Sequence, residues 1–174
     1  MILRNALLAA TVFVSTTACA SADTSGDTSG SARADAAASG AERERIARFS
    51  PTELSNTGGW TLESANAAGG AGIAEVRAPG IVFEMTFANG EVSASGGCNR
   101  LRGTYTVAGN RLDMTLAIAT RMSCTDDKNL ADRSFSELMG QSFKVELIEP
   151  QPYRMRLTSD SGDVLVFQAK PLPL

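Results

Sequence analysis

From Ile81 to the end of the chain, apolar side chains recur at every second position in short runs separated by turn sequences, and few folds tolerate that pattern. Ile81, Phe83, Met85 and Phe87 alternate with Val82, Glu84 and Thr86. A period of two places the first set on one face of an extended strand. Asn89-Gly90 then supplies the positive φ angles of a tight hairpin, and Glu91 to Ser95 returns. Thr104 to Val107 and Arg111 to Met114 flank a second turn, Ala108-Gly109-Asn110. Phe143, Val145 and Leu147 form a further alternating run, and Tyr153, Met155 and Leu157 another, with Pro150 and Pro152 between them. Asp160-Ser161-Gly162-Asp163 turns into Val164 to Ala169, which is apolar on both faces and therefore reads as a central strand. Trp60 to Glu63 reads as a short first strand.

One segment departs from this period. Leu130, Ala131, Phe135, Leu138 and Met139 fall on one side at helical spacing. Thr125 or Asp126 is suited to cap the helix, Asp126 and Asp127 suit its positive end, and Gly140 suits its termination. The expectation is a mainly β domain of about seven or eight antiparallel strands and one helix. A sheet of that size with one apolar face curls into a barrel or sandwich, and the helix is expected over an open end or edge.

The N-terminus has a different character. Arg4 precedes the apolar run Ala6 to Val14, and the small residues Ser15 to Ala18 lead to Cys19. This is the outline of an export signal. The run falls short of the roughly 20 apolar residues a permanent membrane helix needs. Two cleavage sites are compatible with it: before Cys19, as in a lipoprotein, and after Ala20, as in an ordinary exported protein. The first is preferred, because Cys19 follows small residues and opens a polar tether, although Thr16 stands where lipoproteins usually carry Leu. A lipidated Cys19 would hold the chain on a membrane through its acyl chains. Ala20 in the next position resembles the outer-membrane sorting class, so the expected location is the outer membrane facing the periplasm, with a soluble periplasmic protein as the alternative.

Residues 20–50 are rich in Ala, Ser, Gly, Thr and Asp and include the repeat Asp23-Thr24-Ser25-Gly26, Asp27-Thr28-Ser29-Gly30. Such a stretch has little to bury and is expected to be a disordered tether spanning about 30 Å. Within it, Ala41 to Arg48 reads as solvated tether, with a short charged helix as the alternative. The expected organisation is thus a signal peptide over 1–18, an anchor and tether over 19–50, and one domain over 51–174. With 16 basic and 19 acidic residues the net charge is −3, which argues against nucleic acid as a partner.

Several residues in the middle of the domain form an ordered series. Gly96-Gly97-Cys98-Asn99-Arg100 is followed by Gly103-Thr104-Tyr105, Leu112, and Thr120-Arg121-Met122-Ser123-Cys124. The series resembles the META (HslJ-like) family, whose pattern is a Gly-Cys-Asn, a Gly-x-Tyr strand and a Thr-Arg-Met-x-Cys leading into a helix. Trp60 and Leu62 near the start and Phe167 near the end fit the same frame. The match covers about Leu54 to Ala169. It departs at Asp132, where relatives tend to carry Glu, and that departure is expected to bear on the chemistry of the helix surface. The resemblance implies a cracked antiparallel β-barrel with one helix, in envelope proteins linked to heat shock and antibiotic tolerance, with no established catalytic activity. It names Gly97, Cys98, Asn99, Gly103, Tyr105, Thr120, Arg121, Met122 and Cys124 as motif residues of structural importance.

The chemistry carried by the rest of the chain is sparse. It holds no His, which excludes imidazole-dependent triads and the usual zinc sites, and no metal ligand set or cofactor motif is recognised. Neither a Ser-x-x-Lys nucleophile nor a Gly-x-x-x-x-Gly-Lys phosphate loop occurs. Asp126 and Asp127 are read as a helix N-terminus in preference to an acid/base pair. Arg100, Arg102, Arg111 and Arg121 are read as solvated strand faces in preference to an anion-binding face. Asn99 is expected to fix a tight loop by bonding neighbouring backbone. Phe83, Met85, Phe87, Phe135, Phe143, Tyr153, Met155 and Phe167 are read as core, the alternative being the lining of an acyl-chain cavity. Once Cys19 is taken by the anchor, Cys98 and Cys124 remain, an even number in a chain expected in an oxidising compartment. They are expected to pair, the alternative being two separately buried thiols. Three functions stay open: a non-enzymatic structural or stress-response interaction module, which is preferred; a carrier or pilot for a hydrophobic chain or peptide; and an unrecognised enzyme.

Overall fold

The computed structural model describes residues 44–150 and 152–172. The proposed signal peptide, Cys19 and most of the expected tether lie outside this range. Nine strands form one antiparallel sheet: β1 (Arg45–Ala47), β2 (Trp60–Asn66), β3 (Glu84–Ala88), β4 (Glu91–Ser95), β5 (Leu101–Ala108), β6 (Arg111–Ala119), β7 (Ser142–Glu149), β8 (Arg154–Ser159) and β9 (Val164–Ala169). Among the described residues the one α-helix, α1 (Asp126–Met139), joins β6 to β7.

The turns behave as their sequences require. Asn89 and Gly90 both have positive φ, 50° and 80°, and the flanking Ala88 and Glu91 pair directly. This two-residue turn matches the right-handed twist of the strands it joins. Gly109 and Asn110 also close β5 onto β6 in two residues, with Ala108 opposite Arg111, but here Gly109 alone of the pair has positive φ, 63°.

Strands β2 to β9 close into an eight-stranded barrel through the order β7-β6-β5-β4-β3-β2-β9-β8, with β8 returning to β7. β9 lies between β2 and β8, the central position its two-faced apolar sequence called for. The barrel is open along part of one seam. β6 and β7 pair only from Arg111 opposite Lys144 to Asp113 opposite Ser142. Beyond that point β7 is met by β1, with Ala47 opposite Leu147 and Arg45 opposite Glu149. On the other side of the seam, the Ser136 hydroxyl of α1 donates to the Leu116 carbonyl of β6 at 2.8 Å. An unpaired strand edge is thus covered by a short strand and a helix.

β1 corrects the reading of Ala41 to Arg48 as solvated tether or helix: its described part is extended and paired, and Glu44 forms an ion pair with Arg154. Its three residues carry no period that sequence could reveal. The order they adopt comes from the open edge of β7.

Side chains fill the interior. Trp60, Phe83, Phe135, Phe143 and Phe167 are fully buried, as are Met85, Met139 and Met155. Phe83 stacks on Phe135 with ring centroids 4.0 Å apart, which joins the helix to the sheet. The Trp60 indole donates to the Leu54 carbonyl at 2.9 Å, so its one polar atom is satisfied inside the core. Of the aromatic and Met set considered for a cavity, only Tyr153 is half-buried; the rest belong to this core.

α1 starts after an extended Thr125 and carries Asp126 and Asp127 in its first turn, near the unpaired amides. Thr125 makes no side-chain cap to the helix amides. Its hydroxyl instead bonds to Asp127, and this bond, with the Lys128 amide, holds the Asp127 carboxyl below the usual range. Gly140 ends the helix with φ −75°, a conformation open to any residue, so the stop is set by the turn into β7. Ala131, Phe135, Leu138 and Met139 face the core as expected, but Leu130 is 44 % exposed and Asp132 only 6 %. The buried stripe is thus rotated from the spacing argument by less than one residue's step of about 100°.

The turn before β9 is held by a carboxylate. Asp163 accepts from Gln141 Nε2 at 3.1 Å, Ser161 Oγ at 2.9 Å and the Ala68 amide at 3.1 Å. The bond from Gln141, with those from Ser161, Ala68 and Ser159, holds its pKa below the ordinary Asp value, against a smaller effect of burial. A depressed carboxylate stabilises the fold above its unfolded pKa of about 3.9, and the contribution is lost as pH falls through the folded value. Asp163→Asn is therefore expected to lower the melting temperature at pH 7, with the gap from wild type narrowing as pH falls below about 4 and the carboxylate is protonated. Melts across pH check this; a gap of constant size would refute it.

Candidate functional site

The motif residues meet where the β4–β5 loop, the end of β6 and the start of α1 converge. Gly96 to Arg100 form that loop, and Thr120 to Thr125 connect β6 to the helix. Cys98 and Cys124 are joined by a disulfide with their Cα atoms 5.8 Å apart, inside the range a bridge requires. The expected pairing is found, and it ties the loop to the helix entrance.

Asp132 is the centre of the arrangement. Its Oδ2 accepts from the Asn99 amide at 2.7 Å and from Asn99 Nδ2 at 3.0 Å, and the Cys98 amide lies 3.2 Å from both carboxylate oxygens. Successive backbone amides curled around one anion make a nest, and here α1 itself supplies the anion. Asp132 is therefore not a helix-surface residue, as its departure from the family pattern had suggested; it is a buried acceptor that holds the Gly-Cys-Asn loop.

Asn99 uses its other end as well. Its Oδ1 accepts from the Met122 amide at 2.9 Å and from the Thr120 hydroxyl at 3.2 Å. The same Thr120 oxygen accepts from the Arg100 amide at 3.0 Å. Asn99 thus links three chain segments, which is the loop-fixing role expected of it. The loop also needs glycine before it: a Cβ on Gly97 would lie 2.1 Å from Asp132 Oδ1.

Two further motif residues act on the sheet. β6 carries an extra residue opposite the Arg102–Gly103 step, since Arg102 pairs with Ile118 and Gly103 with Leu116. At this bulge the strands approach so closely that a Cβ on Gly103 would stand 1.5 Å from the Thr115 carbonyl oxygen. Gly103→Ala is expected to cost about 2–3 kcal/mol as β5 and β6 are forced apart. Urea unfolding measures it, and a change under about 0.5 kcal/mol would show that the bulge can relax. Tyr105 packs edge-on against Phe87 with centroids 5.0 Å apart, closing the core on that side.

The remaining motif residues face outward. Arg121 is exposed, and Met122 is 61 % exposed although its backbone is fixed by Asn99. Beside them an open cavity of about 730 Å³ is lined by Ser95 to Arg100, Arg102, Ala119, Thr120 and Met122. A second groove of about 450 Å³ runs between β6 and α1; Asp132 lines it, and Asn99 and Ala119 are common to both. The four arginines considered together do not gather. Arg111 lies at the far end of the β5–β6 hairpin, bonded to Asp160 Oδ2 at 2.7 Å, and this bond holds the Asp160 carboxyl below its usual range. Arg100 and Arg102 do share the first cavity.

Asp132 is the residue that sequence reasoning missed. The available signal was an acid set within the stripe Ala131, Phe135, Leu138 and Met139, three residues before Phe135. A carboxylate at an inward helical position needs partners, and in an all-β neighbourhood those partners are loop amides.

Fold and site together define a small closed β-barrel with one helix, whose Gly-Cys-Asn loop is locked to that helix by a disulfide and a buried carboxylate. The META domain family model matches residues 52–171, and the chain belongs to that family. A solved structure titled "NMR structure of the protein from Burkholderia xenovorans" is similar to it, with a TM-score of 0.55 and 24% identity over 68% of this chain and 85% of that one. That likeness speaks for the fold alone. No curated protein gives a significant match.

Proposed function

We propose that this META-domain chain is a non-enzymatic envelope lipoprotein, anchored through Cys19, whose barrel serves as a structural or stress-response interaction module of the kind linked to heat shock and antibiotic tolerance. The observation that carries the reading is the use made of the most reactive-looking residues. Cys98 and Cys124 are spent in a disulfide, and Asn99 and Asp132 bond to each other and to backbone. These are the groups a catalytic constellation would leave free to meet a substrate. Sequence supports the envelope assignment through the apolar leader, the small residues before Cys19 and the polar stretch after it.

In vivo cross-linking of the intact protein, followed by mass spectrometry of what it captures, tests the interaction role. Recovery of a specific protein partner is expected. Capture of lipid alone would point to a carrier. The anchor has its own test, mass spectrometry of the mature N-terminus. A chain beginning at acylated Cys19 is expected; an unmodified chain beginning at Ser21 would overturn the lipoprotein assignment.

A further inference from the structure

The cavity beside the disulfide has a composition that the loop-locking role does not explain. Arg100 and Arg102 stand two positions apart on an extended chain, a spacing that sends both side chains to the same face. Their backbone is held firmly. The Arg100 amide donates to Thr120 Oγ1 at 3.0 Å, the Thr120 amide donates to the Arg100 carbonyl at 3.1 Å, and Arg102 pairs with Ser93 and Ile118.

Some cations of the described residues are matched with anions and others, Arg45, Arg48, Arg77, Arg121, Lys128 and Arg133 among them, are not. Arg111, Lys144, Arg154, Arg156 and Lys170 each have a carboxylate within ion-pair distance. Arg100 and Arg102 form no such pair among the described residues, and the cavity they line contains no carboxylate. Asp132, the nearest buried acid of the motif, is already bonded to the loop amides. Two guanidinium forks on a fixed backbone, without an internal anion, are arranged to bind one from outside. The Ser95 hydroxyl adds a polar group to the same lining.

The apolar part of the wall is small. Ala119, Cys98 and the exposed Met122 form a lip next to the arginines, and Met122 is kept there by the hydrogen bond its amide donates to Asn99 Oδ1. A lip of this extent suits one apolar side chain. From these features we infer that the Arg100–Arg102 cavity is a docking site for a carboxylate of a partner polypeptide, an Asp, Glu or C-terminal group beside one apolar side chain. The inference rests on the interaction-module reading and names the chemistry of that contact.

The test uses the mature chain, labelled for NMR, with three probes: acetyl-Ala-Leu-Glu with a free C-terminus, its neutral acetyl-Ala-Leu-Gln amide, and inorganic phosphate. The acidic peptide is expected to shift amide signals of residues 95–102 and 119–122, and the neutral one to leave them in place. Added salt weakens such binding by screening. Arg100→Gln/Arg102→Gln is expected to weaken it on the order of tenfold with no change in melting temperature, because both side chains are exposed. Met122→Ala is expected to weaken the peptide and leave phosphate unaffected. Phosphate binding as tight as the peptide would reassign the cavity to small free anions and overturn the polypeptide assignment. Absence of any shift, or binding unaltered in the double Arg variant, would overturn the site altogether. A cross-linked partner that the double variant captures equally well would leave the interaction module standing and reject this cavity as its contact.

Discussion

Asp132→Ala is expected to destabilise the domain by about 3 kcal/mol. The carboxylate is 6 % exposed and accepts from the Cys98 amide, the Asn99 amide and Asn99 Nδ2. A hydrogen bond to a charged group contributes about 1.5–3 kcal/mol, and donors left without a partner in a half-buried loop add a desolvation cost. The three bonds act on one loop and will not sum in full. Against a total stability of about 5–15 kcal/mol for a domain, such a loss is large. Urea unfolding measures it, and hydrogen exchange at the Cys98 and Asn99 amides locates it. A variant within about 0.5 kcal/mol of wild type, with those amides still protected, would show that the nest holds its shape without the anion.

Removal of the disulfide is expected to have an effect of similar size. The bridge joins residues 26 apart in sequence, and closing a loop of that length in the unfolded chain corresponds to ~3.5 kcal/mol in the chain-entropy model. Cys98→Ala/Cys124→Ala should therefore lower the unfolding midpoint strongly, and dithiothreitol should do the same to the wild-type protein. Two thiols that label in the denatured, unreduced mature protein would refute the bridge itself. The disulfide and Asp132 restrain the same loop, so combining the Cys pair with Asp132→Ala should cost less than the two changes added together. Strict additivity would mean that the bridge acts only on the unfolded chain and leaves the native loop unchanged.

The two restraints differ in how far sequence exposes them. Cys98 and Cys124 were readable because few residue types share their chemistry and two thiols within one domain leave a single possible pairing. Asn99 was readable because it stands between Gly96-Gly97-Cys98 and a strand, where a side chain that bonds backbone has a local use. Asp132 is an ordinary helix residue by every local measure. Its role depends on Gly97, whose missing Cβ leaves room for the carboxylate, and on amides some thirty positions away. Gly103 is a similar case: the Gly-x-Tyr resemblance marked it, but the reason, a bulge that brings Thr115 against it, exists only across two strands.

Sequence by itself determined strands β2 to β9, the hairpin turns, the helix α1 and the membership of Phe83, Met85, Phe135 and Phe167 in a common core. These follow from period and turn chemistry, which near neighbours settle. Tertiary structure alone decided where the barrel closes and where it stays open. It placed Arg45–Ala47 against the free edge of β7, turned α1 so that Asp132 faces inward and Leu130 outward, and set Arg100 and Arg102 on a wall without a carboxylate. Each of these depends on which segments meet after the chain has folded, and residues far apart in sequence carry no local mark of the partner whose packing and hydrogen bonds will fix them.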